Sequence, residues 1–361
     1  MSICSIKLKN FRNIKESDLF TDAPEVFFVG NNGQGKTNLL ESIYFLCYGT
    51  SFRTREDSVI CNNDSDFMSA SAVFKISDDD VNKIHISYRG KQKYIKLNDK
   101  IIHDRKDIIR NLPCIIFSHN DISFVNGSPE KRRLFVDQTL SLYNPYYIDI
   151  MRKYKKILKT RNHLLKEKNR DLLKVYNSQF IDIGLEIQEK RNELVEIFNP
   201  VFKKKFTEIS GFDFEIDMIY QSYWKKLKTK KKISEYLESK LNFELTTGIT
   251  GSGPHRDKLV FSYKEKDFSD VGSTGQMRLI SLILRIMQAD FYTKTTGRNP
   301  LLLLDDVLLE LDGEKRKKVL DNLPAYEQAF FTFLPNEDYV KYNKENTIVY
   351  SVNNGEFVKI G

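Results

Sequence analysis

The stretch Gly30-Asn31-Asn32-Gly33-Gln34-Gly35-Lys36-Thr37 follows the pattern G-x-x-x-x-G-K-[ST] without deviation. The residue types suit phosphate binding. Glycines let successive backbone N–H groups converge on phosphate oxygens with no side-chain clash. Lys36 supplies a point charge for the β- and γ-phosphates, and Thr37 a hydroxyl for Mg²⁺. A glycine-rich turn with a stray lysine is the bland alternative. The placement argues against it: the apolar run Val26–Val29 precedes the loop and an amphipathic segment follows, so the order reads strand, loop, helix N-terminus.

A phosphate loop of this kind needs an acidic strand end, and the next hundred residues offer none. Leu301-Leu-Leu-Leu-Asp305-Asp306 fits instead: four apolar residues, as in a strand buried on both faces, closing on two carboxylates. Alone, the pair reads equally as a solvated strand end. Beside the loop, Asp305 is a metal carboxylate and Asp306 a base for an attacking water. Thr37 and Asp305 are 268 residues apart, so the far end of the chain completes the site and something is inserted between.

Upstream of Asp305 lies Gly272-Ser-Thr-Gly-Gln-Met-Arg278, followed by the apolar segment Leu279–Phe291. Ser273 can cap that helix, which is the ordinary reading. With Gly275, its N-terminus is also a second anion site.

The elements that position these groups follow from texture. Strands are expected at Ser5–Leu8, Glu25–Val29, Ser69–Ile76, Lys83–Tyr88, Tyr94–Leu97, Leu112–Phe117, Leu259–Tyr263, Leu301–Leu304, Ala329–Phe333 and Thr347–Ser351. Residues 129–210 carry few glycines and prolines and show three- and four-residue apolar spacing, which predicts two or three long helices. The run 225–233 reads as a loop or helix start. The division expected is 1–118 for the first part of an α/β head, 119–246 for a basic helical lobe, and 247–361 for the rest of the head.

The chain carries a net charge of +8. Residues 151–232 hold 21 Lys and Arg against 11 Asp and Glu, so the excess is concentrated there. Solvated lysine-rich helices and a polyanionic partner both account for it. No apolar run reaches the roughly 18–20 residues needed to span a bilayer, and the N-terminus shows no signal-peptide core. Four scattered cysteines with no CxxC pair predict reduced thiols and no zinc site. A cytoplasmic, nucleoid-associated protein with no membrane partner is expected.

In order and separation these motifs resemble the ATPase heads of ABC and SMC type, in which the S-x-G-Q helix of one protomer closes on ATP held by the other. The resemblance narrows to the RecF family of bacterial recombinational-repair proteins. Five stretches carry it: Leu8–Asn13, Gly49–Thr54, Gly127–Asp137, Gly253-Pro-His-Arg-Asp257, and Asp305–Asp312. It implies an ABC-type P-loop ATPase head of α/β class, with a mixed sheet and an antiparallel β subdomain, interrupted by an inserted helical lobe. It implies ATP and Mg²⁺ as cofactors, with Gly30, Asn31, Asn32, Gly33, Gln34, Gly35, Lys36, Thr37 and Arg12 on the nucleotide. Thr37 and Asp305 would hold the metal. Asp306 and Lys36 would be catalytic, and Ser273, Gly275 and Gln276 would act in trans. Asp312 would lie at the dimer seam. Asp306 stands where many ABC ATPases have Glu, and the shorter side chain predicts slow hydrolysis.

The activity implied is ATP-dependent DNA binding in recombinational repair and replication restart. ATP drives two chains head to tail into a clamp at gaps or single/double-strand junctions, and weak, DNA-stimulated hydrolysis releases it. Recombinase loading and SOS induction follow, with mediator proteins of RecO/RecR type as partners. Candidate DNA contacts are Lys153, Lys155, Lys156, Lys159, Arg161, Lys228, Lys230 and Lys231. This chain departs from the pattern at Leu309, before Glu310. It also departs at Phe117–Asp121, which offers no glutamine, so that His119, Asn120 or Asp121 is left to bind the metal's water unless the segment is a plain turn. After Ala329–Phe333 only Thr332 offers a polar group. His255 and Arg256 are open between a structural role and a DNA or nucleotide contact. An SMC-like ATPase whose insertion binds a protein partner is the alternative. A transport ATPase and a metabolic kinase fit less well.

Overall fold

A computed structural model describes residues 1–54, 56–77, 79–90, 92–307, 311–337 and 345–360. Leu309 and Glu310 lie outside the described residues. The chain forms two compact units, Met1–His119 with Gln288–Gly361, and Asn120–Met287.

The first unit contains two six-stranded sheets. One is antiparallel, in the order β2-β1-β4-β5-β6-β7, built from β1 (Ser2–Phe11), β2 (Ile14–Phe20), β4 (Phe67–Ser77), β5 (Asp80–Arg89), β6 (Gln92–Leu97) and β7 (Lys100–Ile101). Its strands alternate: Met68, Ala70, Ala72 and Phe74 of β4 are buried and their neighbours half exposed. The other sheet is mixed, in the order β15-β14-β3-β13-β12-β8, from β3 (Glu25–Val29), β8 (Cys114–Phe117), β12 (Leu301–Leu304), β13 (Ala329–Phe333), β14 (Ile348–Asn353) and β15 (Glu356–Lys359). Only β15 pairs antiparallel. The inner strands β3, β12 and β13 are buried at every residue, which explains their continuous apolar sequences. Helix α1 (Lys36–Tyr48) shares one core with both sheets through Leu39, Leu40, Ile43, Phe45 and Leu46. The short α2 (Lys106–Asn111) and α11 (Gly313–Asp321) complete this unit.

The second unit holds α3 (Ser123–Asn126), α4 (Pro129–Tyr143), α5 (Pro145–Lys166), α6 (Arg170–Ser210), α7 (Tyr223–Leu227), α8 (Lys230–Thr247), α9 (Phe268–Val271) and the first part of α10 (Thr274–Thr296). A small sheet of β9 (Asp217–Gln221), β10 (Lys258–Tyr263) and β11 (Lys266–Asp267) joins them. Helix α5 begins with Asn144 as cap and Pro145 in its first turn, and buries Tyr147, Ile150, Tyr154, Ile157, Arg161 and Leu164 at alternating three- and four-residue steps. Gly184 of α6 faces Trp224: a Cβ there would lie 2.6 Å from the indole, so only glycine admits this approach.

This unit runs to Met287, whereas the sequence division placed the end of the lobe at 246. Strand pairing is the cause: Lys258–Ser262 pair with Asp217–Gln221, and Asp257 accepts from Gln188 Nε2 at 2.7 Å and from Tyr220. The run 225–233 divides at Thr229, whose hydroxyl accepts from Lys232 N and starts α8.

Candidate functional site

The phosphate loop leaves β3 at Val29 and enters α1 at Lys36. Gly30 N donates to Phe333 O at 3.1 Å, and a Cβ on Gly30 would lie 2.4 Å from Val352 O, so the loop starts wedged against its neighbouring strands. Gly35 has φ 118, a conformation costly for any side chain. Lys36 is 3% exposed. Its ammonium donates to Gly30 O at 2.6 Å and Asn31 O at 3.2 Å, and Asp306 Oδ2 lies 3.8 Å away. Asn31, Asn32 and Gly33 face solvent.

The distant carboxylates lie beside the loop. Strand β12 ends at Leu304, and Thr37 Oγ1 donates to Asp305 Oδ1 at 2.8 Å across 268 residues. Burial pushes Asp305 up to about 6; Asp306 beside it adds to this, while the Thr37 hydrogen bond, Arg53 and Lys36 oppose it. A buried carboxylate held up by desolvation is a site that gains from a cation. Hydroxyl plus carboxylate, both oxygen, suits Mg²⁺ completed by phosphates and water. Among the described residues, no group of three or more His, Cys, Asp or Glu is arranged to hold a metal ion by itself. Asp306 sits at φ 51. Its N–H donates to Thr332 Oγ1 at 2.7 Å, and that hydroxyl donates to Asp306 Oδ1 at 2.7 Å. Thr332 thus orients Asp306 and leaves Oδ2 toward Lys36.

Around the loop lies a polar scaffold that spacing alone does not reveal. Glu41, fully buried on α1, accepts from Arg12 Nε at 3.0 Å and Nη2 at 2.8 Å, from Ser51, and from Arg53 Nη1 at 3.2 Å. Arg12 Nη1 donates to Val59 O at 2.7 Å, so all three guanidinium nitrogens of Arg12 are engaged within the protein, beside α1. Arg53 also donates to Asn38 Oδ1 at 2.7 Å. It belongs to the Gly49–Thr54 stretch, but only the fold brings it close enough to lower Asp305. The β14–β15 turn braces the loop from the other side: Gly355 N donates to Gln34 O at 2.7 Å and Asn354 N to Gln34 Oε1 at 2.8 Å.

In the second unit, Ser273 and Gln276 form a capping box. Gln276 N donates to Ser273 Oγ at 3.3 Å, and Ser273 N to Gln276 Oε1 at 2.8 Å. Gly275 has no atom within 4 Å of a Cβ position, so the N-terminus of α10 is open to an approaching group. Asp312, in the first unit, caps α11 through Lys315 N at 2.9 Å.

Lys153, Lys155, Lys156, Lys159, Lys228, Lys230 and Lys231 are exposed, with Lys230 2.6 Å from Asp182. Arg161 requires correction: it is no DNA contact. It is 0% exposed and donates to Asn177 Oδ1 at 2.9 Å, Thr250 Oγ1 at 2.7 Å and Glu244 Oε2 at 2.6 Å. Its position in the apolar stripe of α5 buries it. Asp121 is likewise occupied, accepting from Arg285 at 2.7 and 3.1 Å, with that guanidinium 4.7 Å from the Phe124 ring centre. His255 lies between Tyr154 OH at 2.7 Å and Thr250 O at 3.0 Å, and burial lowers it to about 4. The carbonyl can only accept, so Nε2 carries the proton and Nδ1 accepts from Tyr154. Both ring nitrogens are thus engaged within the second unit. Arg256 is exposed, with Nη2 3.3 Å from Thr250 O.

Residues 2–357 match the model of the RecF/RecN/SMC N-terminal domain. The DNA replication and repair protein RecF of Treponema pallidum (strain Nichols) is 41% identical over 96% of this chain and 98% of its own length. The RecF protein of Leptospira interrogans serovar copenhageni is 31% identical over 99% of both chains. Among solved structures, that of the recombination mediator protein RecF-ATP in the RecFOR pathway superposes with TM-score 0.89 at 28% identity, covering 99% of this chain and 97% of that one. An Smc head bound to the C-terminal winged-helix domain of ScpA shares the fold at TM-score 0.59 and 17% identity, over 100% of this chain and 98% of that one. With its ABC/SMC-type head and full-length similarity to these proteins, the chain belongs to the RecF family.

Proposed function

We propose that this chain is an ATP-dependent DNA-binding protein of replication and repair, in which ATP joins two copies head to tail. The single observation carrying the reading is the Thr37–Asp305 contact of 2.8 Å, which sets the loop's hydroxyl against the carboxylate that would hold the metal with it. The loop N–H groups and Lys36 bind and orient the triphosphate. Bound Mg²⁺, held by Thr37 and Asp305, would neutralise charge developing between the β- and γ-phosphates. Asp306, aimed by Thr332, takes a proton from the attacking water. A short carboxylate fixed by one hydroxyl reaches less far than Glu, which favours slow turnover.

Ser273, Gly275 and Gln276 are proposed to serve the partner's nucleotide. The open N-terminus of α10 supports this, because a capped helix end with no covering side chain offers N–H groups to a phosphate. The exposed lysines of α5 and α8 attract DNA backbone without reading sequence. RecO/RecR-type mediators, suggested by the relatives' pathway, are proposed partners. Sedimentation with MgATP tests dimer formation: the wild type should double its mass and Lys36→Ala remain single. Equal masses for both defeat the proposal.

A further inference from the structure

One side of α8 is accounted for by packing. Ile233, Leu237, Leu241 and Leu245 are buried, and the last two share a core with Leu164, Leu165 and Leu173. The other side carries apolar surface that packing does not explain. Phe243 is 66% exposed, more than any other large apolar side chain among the described residues. Tyr236 lies on the same side, its ring centre 4.7 Å from that of Tyr223 with the planes at 41°. Tyr223 is itself 49% exposed. Its neighbour Trp224 anchors α7, with the indole 5.5 Å from the Phe180 ring and Nε1 donating to Ser252 Oγ at 3.2 Å.

Cations stand between these rings. At about 100° per residue, Lys232, Lys240, Phe243 and Thr247 all fall within about 40° of Tyr236 around α8. Lys240 Nζ lies 5.8 Å from the Tyr236 ring centre. Lys232 and Lys240 are exposed and form no ion pair among the described residues. The carboxylates of α8 lie off this stripe. Glu235 is about 100° and Glu238 about 160° from Tyr236, and Glu244 is buried on Arg161. Residues 222–234, which lead from Tyr223 into α8, hold six lysines and no Asp or Glu. Two of these lysines are offset, Lys225 by Glu196 at 4.0 Å and Lys230 by Asp182 at 2.6 Å. Open aromatic faces with unpaired cations between them suit a polyanion that also carries flat apolar groups. A single-stranded nucleic acid has both, whereas a duplex keeps its bases stacked inside.

We propose that Tyr223, Tyr236 and Phe243 form a platform on which unpaired bases of a single strand stack, with Lys232 and Lys240 receiving the phosphates between. The proposal rests on the DNA binding inferred above and extends it from backbone to bases. Every base has a π-face, so the platform responds to unpaired bases and not to sequence. Fluorescence anisotropy of the full chain with a non-hydrolysable ATP analogue tests it on three labelled probes: oligo(dT), an abasic strand of equal length, and a duplex. Tyr223→Ala and Phe243→Ala, both at exposed positions, should leave the melting temperature unchanged. Each should weaken oligo(dT) binding at least about fivefold, with the abasic strand and the duplex bound as by wild type. Phe243→Trp, which restores a ring, should bind oligo(dT) at least as tightly as wild type. Lys232→Gln combined with Lys240→Gln should weaken oligo(dT) and the abasic strand alike. Oligo(dT) affinity unmoved by both alanine variants overturns the proposal and leaves this face to a protein partner. An equal loss on the abasic strand overturns it too, because the effect is then not stacking. A wild-type chain that binds none of the probes removes the DNA-binding reading itself, and the platform with it.

Discussion

Replacing Lys155, Lys156 and Lys159 by Gln removes three charges from one exposed face of α5. At 100° per residue these side chains fall opposite the stripe that buries Tyr154, Ile157 and Arg161. None forms an ion pair among the described residues, so each is available to a phosphate. Every phosphate neutralised contributes about −0.9 to the slope of log affinity against log salt. Losing three contacts should make the slope shallower by up to about 2.7, with affinity near 0.1 M salt falling by as much as about 500-fold. Fluorescence anisotropy of a labelled gapped duplex, titrated at several NaCl concentrations with a non-hydrolysable ATP analogue, reads both. Arg161→Ala is the contrast. It strips the partner from buried Glu244 and should cost about 3–5 kcal/mol of stability, with the salt slope of the folded fraction unchanged. A triple-lysine slope equal to that of wild type, or an Arg161 slope change without loss of stability, refutes this assignment of surface and core.

Thr37→Ala and Asp305→Asn should each reduce nucleotide affinity in Mg²⁺ to the level seen in EDTA, measured by fluorescent-nucleotide binding with and without metal. Thr332→Val keeps shape but releases Asp306; turnover should fall about tenfold with KM nearly unchanged, as steady-state ATPase kinetics would show. His255 titrates at about 4 in the fold and near 6.5 when unfolded, so the neutral form is the one the fold favours. Below pH 6.5 the unfolded chain takes up the proton first, and stability falls as pH drops toward 4, by about 3 kcal/mol at most. Denaturant unfolding at pH 7 and pH 5 should show about 2 kcal/mol of that loss in wild type and a smaller one in His255→Gln.

The inner strands were legible because burial on both faces leaves an unbroken apolar run, as at Val26–Val29 and Leu301–Leu304. The strands that escaped notice, β2, β7, β9, β11 and β15, all lie at sheet edges. Their residues are mostly polar or exposed, and pairing with a neighbour rather than intrinsic pattern makes them strands. The proposed phosphate loop and the Asp305–Asp306 pair stood out by residue type, since phosphate and metal chemistry restrict what can stand in such a site. Arg161 could not be read from charge. The signal lay in the spacing of Tyr147, Ile150, Tyr154, Ile157 and Leu164, whose rhythm places residue 161 inside. Glu41 and Arg53 had no local signal, because their importance comes from Arg12, Ser51 and Asp305 being folded against them.

The central claim is that each nucleotide pocket is shared, with Lys36 from one chain and Ser273 from the other. Lys36→Ala and Ser273→Arg chains, each nearly inactive alone, should regain activity when mixed, because a heterodimer contains one intact pocket. Random pairing at equal amounts predicts about a quarter of wild-type ATPase activity. A mixture no more active than the sum of its parts would contradict the account.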